Sequence, residues 1–169
     1  ILFVIGKFLR FGLFLFFIYI LSSSVKEISG YTFWQMIFIF ATFNLIDVGS
    51  QLFFREIYYF RNYVVDGSID YFLVRPIKPL FKFLFGGADV LDVPLFIVSL
   101  IFLIISFFNV GEVSISGIFL FLTLLINAFL IALSFHIFIL SIAILTTEID
   151  NTLWLYRDLI SMGKIPIDL

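Results

Sequence analysis

The chain has 169 residues, of which 63% are hydrophobic, 21% aromatic and 13% charged, with a net charge of −2 and no cysteine. A soluble domain is nearer half apolar and a quarter charged, so an ordinary soluble fold is excluded, and the charge gives no footing for a nucleic-acid partner. Disulfides and thiolate metal sites are excluded with the cysteines.

A hydrocarbon core of ~30 Å is crossed by ~20 apolar helical residues. Four stretches approach that length, so the expected class is all-α, one polytopic bundle over residues 1–169. The sequence opens within an apolar run, without Met and without a small-residue cleavage site, and is read as a piece of a longer membrane protein. The first span is expected at residues 11–25. Lys7 and Arg10 precede it, and residues 1–10 read as an interfacial lead-in whose basic side chains reach the headgroups. The second span, residues 31–50, has Tyr31 and Trp34 at one end, where amphipathic rings favour the interface. A long loop, residues 51–89, leads to a third span at 90–108. The fourth, 117–145, exceeds what a bilayer requires, so it tilts or extends beyond it. A tail, 146–169, closes the chain.

The Lys and Arg count fixes an expected orientation. Lys7, Arg10, Arg55, Arg61, Arg75, Lys78, Lys82, Arg157 and Lys164 fall on one side of this alternation, and only Lys26, beside Glu27, on the other. Short Lys/Arg-rich loops stay cytoplasmic, so the N-terminus, residues 51–89 and the tail are expected inside.

Polar residues inside the spans are few. Asn44, Asp47, Gln51 and Arg55 are three or four apart, one helical stripe on the second span. Such a stripe suits a translocation wall, a subunit seam, or helix–helix bonding with Arg55 neutralising Asp47; the last is preferred. Asn127, Ser134 and Ser141 recur every seven residues on the fourth span and suit close helix packing. His136, the sole histidine, lies off that stripe; packing and a bond to a neighbouring helix are preferred over a proton or substrate role. Asp89 and Asp92 open the third span, where the helix dipole favours acids. Glu148 and Asp150 are placed to pair with Arg157.

The loop is the informative segment. Aromatic residues from Phe53 to Phe60 mix with Arg55, Glu56 and Arg61, as in a helix at a membrane surface or a continuation of the second span. Asp66-Gly67-Ser68 signals a turn, and Pro76 and Pro79 forbid a continuous helix while biasing Arg75 to extended backbone. Asp66 and Asp70 could hold the turn or pair with Arg75. The run Gly67-Ser68-Ile69-Asp70-Tyr71-Phe72-Leu73-Val74-Arg75-Pro76, followed by Lys78-Pro79-Leu80, resembles the glycine, aspartate, leucine and Arg-Pro pattern of one branch of the ABC type-2 (ABC-2) transporter permeases. The stretch from Met162 to Asp168 is similar to the part of that family that precedes its final two spans.

That resemblance implies an exporter-type transmembrane domain of about six spans, with four of them present here. It implies a permease subunit in the cytoplasmic membrane of a prokaryote, working with a second permease, identical or paralogous, and with ABC ATPase subunits. The loop containing Asp66, Gly67, Asp70, Leu73, Arg75, Pro76, Lys78 and Pro79 would dock on the ATPase. The chain lacks a GxxxxGK[ST] sequence, so it is expected to bind no cofactor itself; ATP and Mg would sit on the partner. The bland alternative is that the loop cations only set orientation and touch lipid. An intramembrane enzyme acting on lipid or peptide would need a His/Asp/Glu cluster or an activated nucleophile, and one histidine with no H-E-x-x-H or G-x-S-x-G offers little. A membrane assembly scaffold is the third reading. No residue names the substrate.

Overall fold

The computed structural model describes residues 2–24, 30–76, 78–146 and 149–164; the features expected at Val25, Lys26, Glu27, Glu148 and residues 165–169 lie outside the described residues. All the elements described are helical. Helix α1 runs unbroken through Leu2–Ser24. The lead-in expected before residue 11 and the span after it thus form one continuous helix. An apolar run without proline keeps its backbone bonds within the helix, which is what hydrocarbon demands.

Helix α2, Phe33–Phe53, begins where the Gln35 side chain accepts the Thr32 amide at 2.9 Å, half of a capping box. Beyond Phe54 the chain tightens into a 3-10 turn, Arg55–Tyr59, and then α3, Phe60–Val65. Gly67, at φ +70°, takes the left-handed corner that admits α4, Ile69–Val74. Arg75 is extended (φ −74°, ψ 149°) ahead of Pro76, as a following proline dictates. Pro79 occupies the first turn of α5, Pro79–Phe85. A 3-10 turn, Val90–Asp92, leads into α6, Val93–Asn109. Helix α7, Ile115–Thr146, has 32 residues and is about 48 Å long, well beyond a bilayer's hydrocarbon thickness. Helix α8, Asp150–Ser161, ends in the turn Met162–Lys164.

Among the described residues, four segments are long and apolar enough to cross a membrane: Val4–Ser23, Phe33–Phe53, Pro79–Asn109 and Ile115–Thr146. Of these, α2 is central, with 61% of its apolar window buried against 11–28% for the others.

Among the described residues there are two cores. The first lies within the bundle, where Phe11 and Phe14 of α1 meet Phe40 of α2 at 5.2 and 4.4 Å, and Phe11 meets Phe102 of α6 at 5.6 Å. The second lies at the basic end. It gathers Ile57, Phe60, Phe83 and Leu84 of the loop with Ile139, Leu140 and Ala143 of α7 and Leu153 and Tyr156 of α8. The surplus length of α7 is thus spent packing the loop.

Gly49 lets α2 approach its neighbours. A Cβ there would lie 2.8 Å from the Phe129 ring of α7 and 3.2 Å from Phe96 of α6. Gly49→Ala is expected to destabilise by about 1–3 kcal/mol through overpacking. Gly12→Ala on α1, with nothing within 4 Å, should not destabilise. Thermal unfolding in detergent measures both.

Candidate functional site

Beneath the bundle, the loop is held by one buried acid. Glu56 is 5% exposed and accepts from both the Lys82 ammonium and the Tyr63 hydroxyl, the latter at 2.7 Å. Lys82 also lies 5.3 Å from the Phe72 ring centre. Burial, reinforced by the hydrogen bond to Glu56, pushes the Tyr63 phenol up to about 12. Arg55 pairs with Asp89 at 3.4 Å, and Arg61 with Asp150 at 2.8 Å.

These contacts correct several expectations. Lys82 is neutralised inside the loop rather than offered to a partner. Arg55 does not neutralise Asp47, because the helix breaks at Phe54 and turns Arg55 off the stripe toward Asp89. Asp150 meets Arg61 of the loop, where Arg157 was expected. Arg75 meets neither Asp66 nor Asp70 among the described residues; its guanidinium lies 4.0 Å over the Tyr71 ring and donates to the Tyr71 hydroxyl. Asp66 ends α3, with its backbone amide bonded to the Asn62 carbonyl at 2.8 Å, and Asp70 lies exposed in the first turn of α4.

What the loop presents outward is the corner between α4 and α5. Helix α4 buries no residue fully. Tyr71, Leu73, Val74, Leu80 and Phe81 are all more than half exposed, and Arg75, Pro76 and Lys78 lie among them. The reverse side, with Phe83 and Leu84, is fixed in the second core.

Inside the bundle the polar stripe becomes a seam. Gln51 donates to Asp47 at 3.0 Å and accepts from Arg157 of α8 at 3.1 Å and Lys7 of α1 at 3.3 Å. Lys7 also donates to the fully buried Asp92. So Lys7 does not reach for headgroups, and Asp92 serves as a counter-charge rather than a capping group; Asp89 does cap, accepting the Leu91 amide at 3.1 Å. Asn44 bonds within its own helix, to the Phe40 carbonyl at 2.8 Å.

The stripe on α7 faces outward, away from the other helices of this chain. Asn127, Ser134 and Ser141 are exposed, and both serine hydroxyls return to their own helix at 2.8 and 2.9 Å. Ser116 and Thr123 continue the same exposed line. His136 is fully buried between Phe54 (5.0 Å) and Tyr156 (4.8 Å). Its Nδ1 meets the Ala132 carbonyl of its own helix at 2.7 Å, and Nε2 has no partner among the described residues, so the expected bond to a neighbouring helix is absent there. Tyr156 also reaches Ser50 of α2, at 3.4 Å.

The residues missed from sequence are Glu56, Tyr63 and Asp92 as structural partners. The available signal was a lone acid in a basic, aromatic stretch, and two opposite charges each near the start of an apolar segment.

Two outcomes follow from this geometry. Lys7→Ala leaves Asp92 buried without its counter-charge and should destabilise by about 3–5 kcal/mol, whereas the double change Lys7→Met with Asp92→Leu should recover most of it. A double-mutant cycle of unfolding midpoints reads this. The raised Tyr63 phenol contributes stability that is complete below the ordinary value of 10.0 and is lost as pH rises through about 12. The wild-type melting temperature should therefore fall more steeply than that of Tyr63→Phe over this interval.

The family model described as ABC-2 family transporter protein matches residues 8–169. No match is found among curated proteins or among solved structures. The match takes in the loop, every apolar helix but the first residues of α1, and the whole seam except Lys7, and it implies an ABC ATPase as partner. The chain, an integral membrane protein by its apolar helices, belongs to the ABC-2 transporter family.

Proposed function

We propose that this chain is the permease subunit of an exporter in the cytoplasmic membrane, and that the corner between α4 and α5 is where its ATPase docks. The observation that carries this is the two-sidedness of the loop. Tyr71, Leu73, Val74, Leu80 and Phe81 face outward around Arg75 and Lys78, while Phe83 and Leu84 are locked to α7. A monomeric soluble surface rarely leaves such apolar groups clustered; cations at their rim suit an acidic groove on a partner.

The mechanism follows from the packing. ATP and Mg are held by the partner. Its closure pushes on the corner, whose two prolines resist bending. The second core passes that push to the end of α7 and to α8. Arg157 of α8 meets Gln51, which also meets Lys7, and Lys7 meets Asp92, so α1, α2 and α6 are joined to the same lever. The basic end is then cytoplasmic, in accord with its Lys and Arg content. A second permease, identical or paralogous, would complete the pathway. The outward line through Asn127, Ser134 and Ser141 favours a helix partner there, since lipid tails cannot satisfy an amide.

The test uses the full-length protein coexpressed with its ATPase. The double change Arg75→Glu with Lys78→Glu should lower the ATPase retained on purification by about tenfold or more, since like charges then face each other across the contact. Arg61→Gln, whose side chain turns to Asp150, should retain it. Equal retention by both variants overturns the docking assignment.

A further inference from the structure

We propose that the cleft between α1, α2 and α8 is a binding site for an anionic membrane phospholipid, its phosphate held between Arg10 and Lys164. The cleft has a volume of about 620 Å³ and lies beside the polar seam. Four cations line it, Lys7, Arg10, Arg157 and Lys164, against two acids, Asp47 and Asp158.

The cations are not equivalent. Lys7 is committed to Asp92 and Gln51, and Arg157 to Gln51. Asp47 is likewise taken up by Gln51. Arg10 and Lys164 form no ion pair with Asp47, Asp158 or any other acid among the described residues. They come from distant parts of the sequence, α1 and the turn after α8, and both line the cleft. Burial and then the neighbouring Arg10 charge pull the Lys164 ammonium below its ordinary value, with Asp47 acting the other way. An anion bound between two such cations relieves their repulsion. The Lys164 ammonium also lies 5.7 Å from the Phe43 ring centre, within cation–π reach of the cleft's aromatic wall.

That wall selects the class of anion. Phe11, Phe14, Phe40 and Phe43 line the same cleft. Phe43 and Ile160 are shared with a second, almost wholly apolar cavity of about 570 Å³ between α2, α7 and α8. A cationic pair in an aromatic cleft, next to an apolar cavity, matches a phosphate head with an acyl chain. A free phosphate uses only the pair and leaves the rest of the cleft unfilled. The site stands whether or not an ATPase docks on the loop, and it assigns the lipid as a resident ligand rather than as cargo.

The experiment is native mass spectrometry of the detergent-purified, full-length protein titrated with phosphatidylglycerol. Wild type should retain bound phosphatidylglycerol in preference to phosphatidylcholine. The double change Arg10→Gln with Lys164→Gln should weaken retention by roughly tenfold or more, given about 1 kcal/mol per basic residue at a lipid surface. Arg10→Lys keeps the charge and should keep the lipid, so a folding defect is told apart from a lost site. The double change Arg75→Gln with Lys78→Gln removes as much charge elsewhere and should leave retention intact. Equal loss in both double variants would reduce the effect to general surface charge and overturn the site. Displacement of the lipid by millimolar inorganic phosphate alone would show an ion site without lipid specificity, and would equally overturn it.

Discussion

Phe60, Phe83 and Leu84 of the loop bury themselves against Ile139, Leu140 and Ala143 at the end of α7, and on this contact the whole arrangement depends. Without it the segment between α2 and α6 would be a charged linker, free to move independently of the helices. With it, the loop is a small packed body fixed to a transmembrane helix. The excess length of α7 beyond the bilayer is what makes that contact available, since the burying residues all lie in its last turns.

The charged residues fall into place around this body. Glu56 is the acid that lets Lys82 fold inward, and Tyr63 completes its hydrogen bonding. A buried carboxylate with one cation and one phenol is well satisfied, whereas a buried lysine alone would be costly. Arg55 and Arg61 are drawn to Asp89 and Asp150, which ties the start of the loop to its end and to α8. The result is a division among residues that look alike in sequence. Some cations hold the loop together, while Arg75 and Lys78 remain at its outer corner.

The same logic governs the bundle. Charges buried within the bundle must find one another, and Lys7 of α1 and Asp92, just ahead of α6, do so, with Gln51 of α2 joining Lys7 to Arg157. Around this seam the contacts are aromatic, with Phe11, Phe14 and Phe40 in close ring contact. The abundance of phenylalanine, which carried no functional meaning in the composition, fills the space between helices and lines the clefts beside α8.

Apolar run length alone determined that this is a helical membrane protein with four long hydrophobic segments. Backbone groups in hydrocarbon have no partner but their own helix, so composition and length suffice for that much. The turn at Gly67 and the extended Arg75 before Pro76 were equally legible, because φ restrictions are local. Pairing was not. The sequence spaced Arg55 one turn beyond Gln51, but only the break at Phe54 turned it away from Asp47. It placed Lys7 at a helix start, yet Asp92, 85 positions along the chain, took its charge. Helical periodicity says which residues share a face; which face meets a neighbour, and which meets lipid, is decided by packing between elements far apart in the chain. That is why Asn127, Ser134 and Ser141 could be seen as one stripe but not as an outward one.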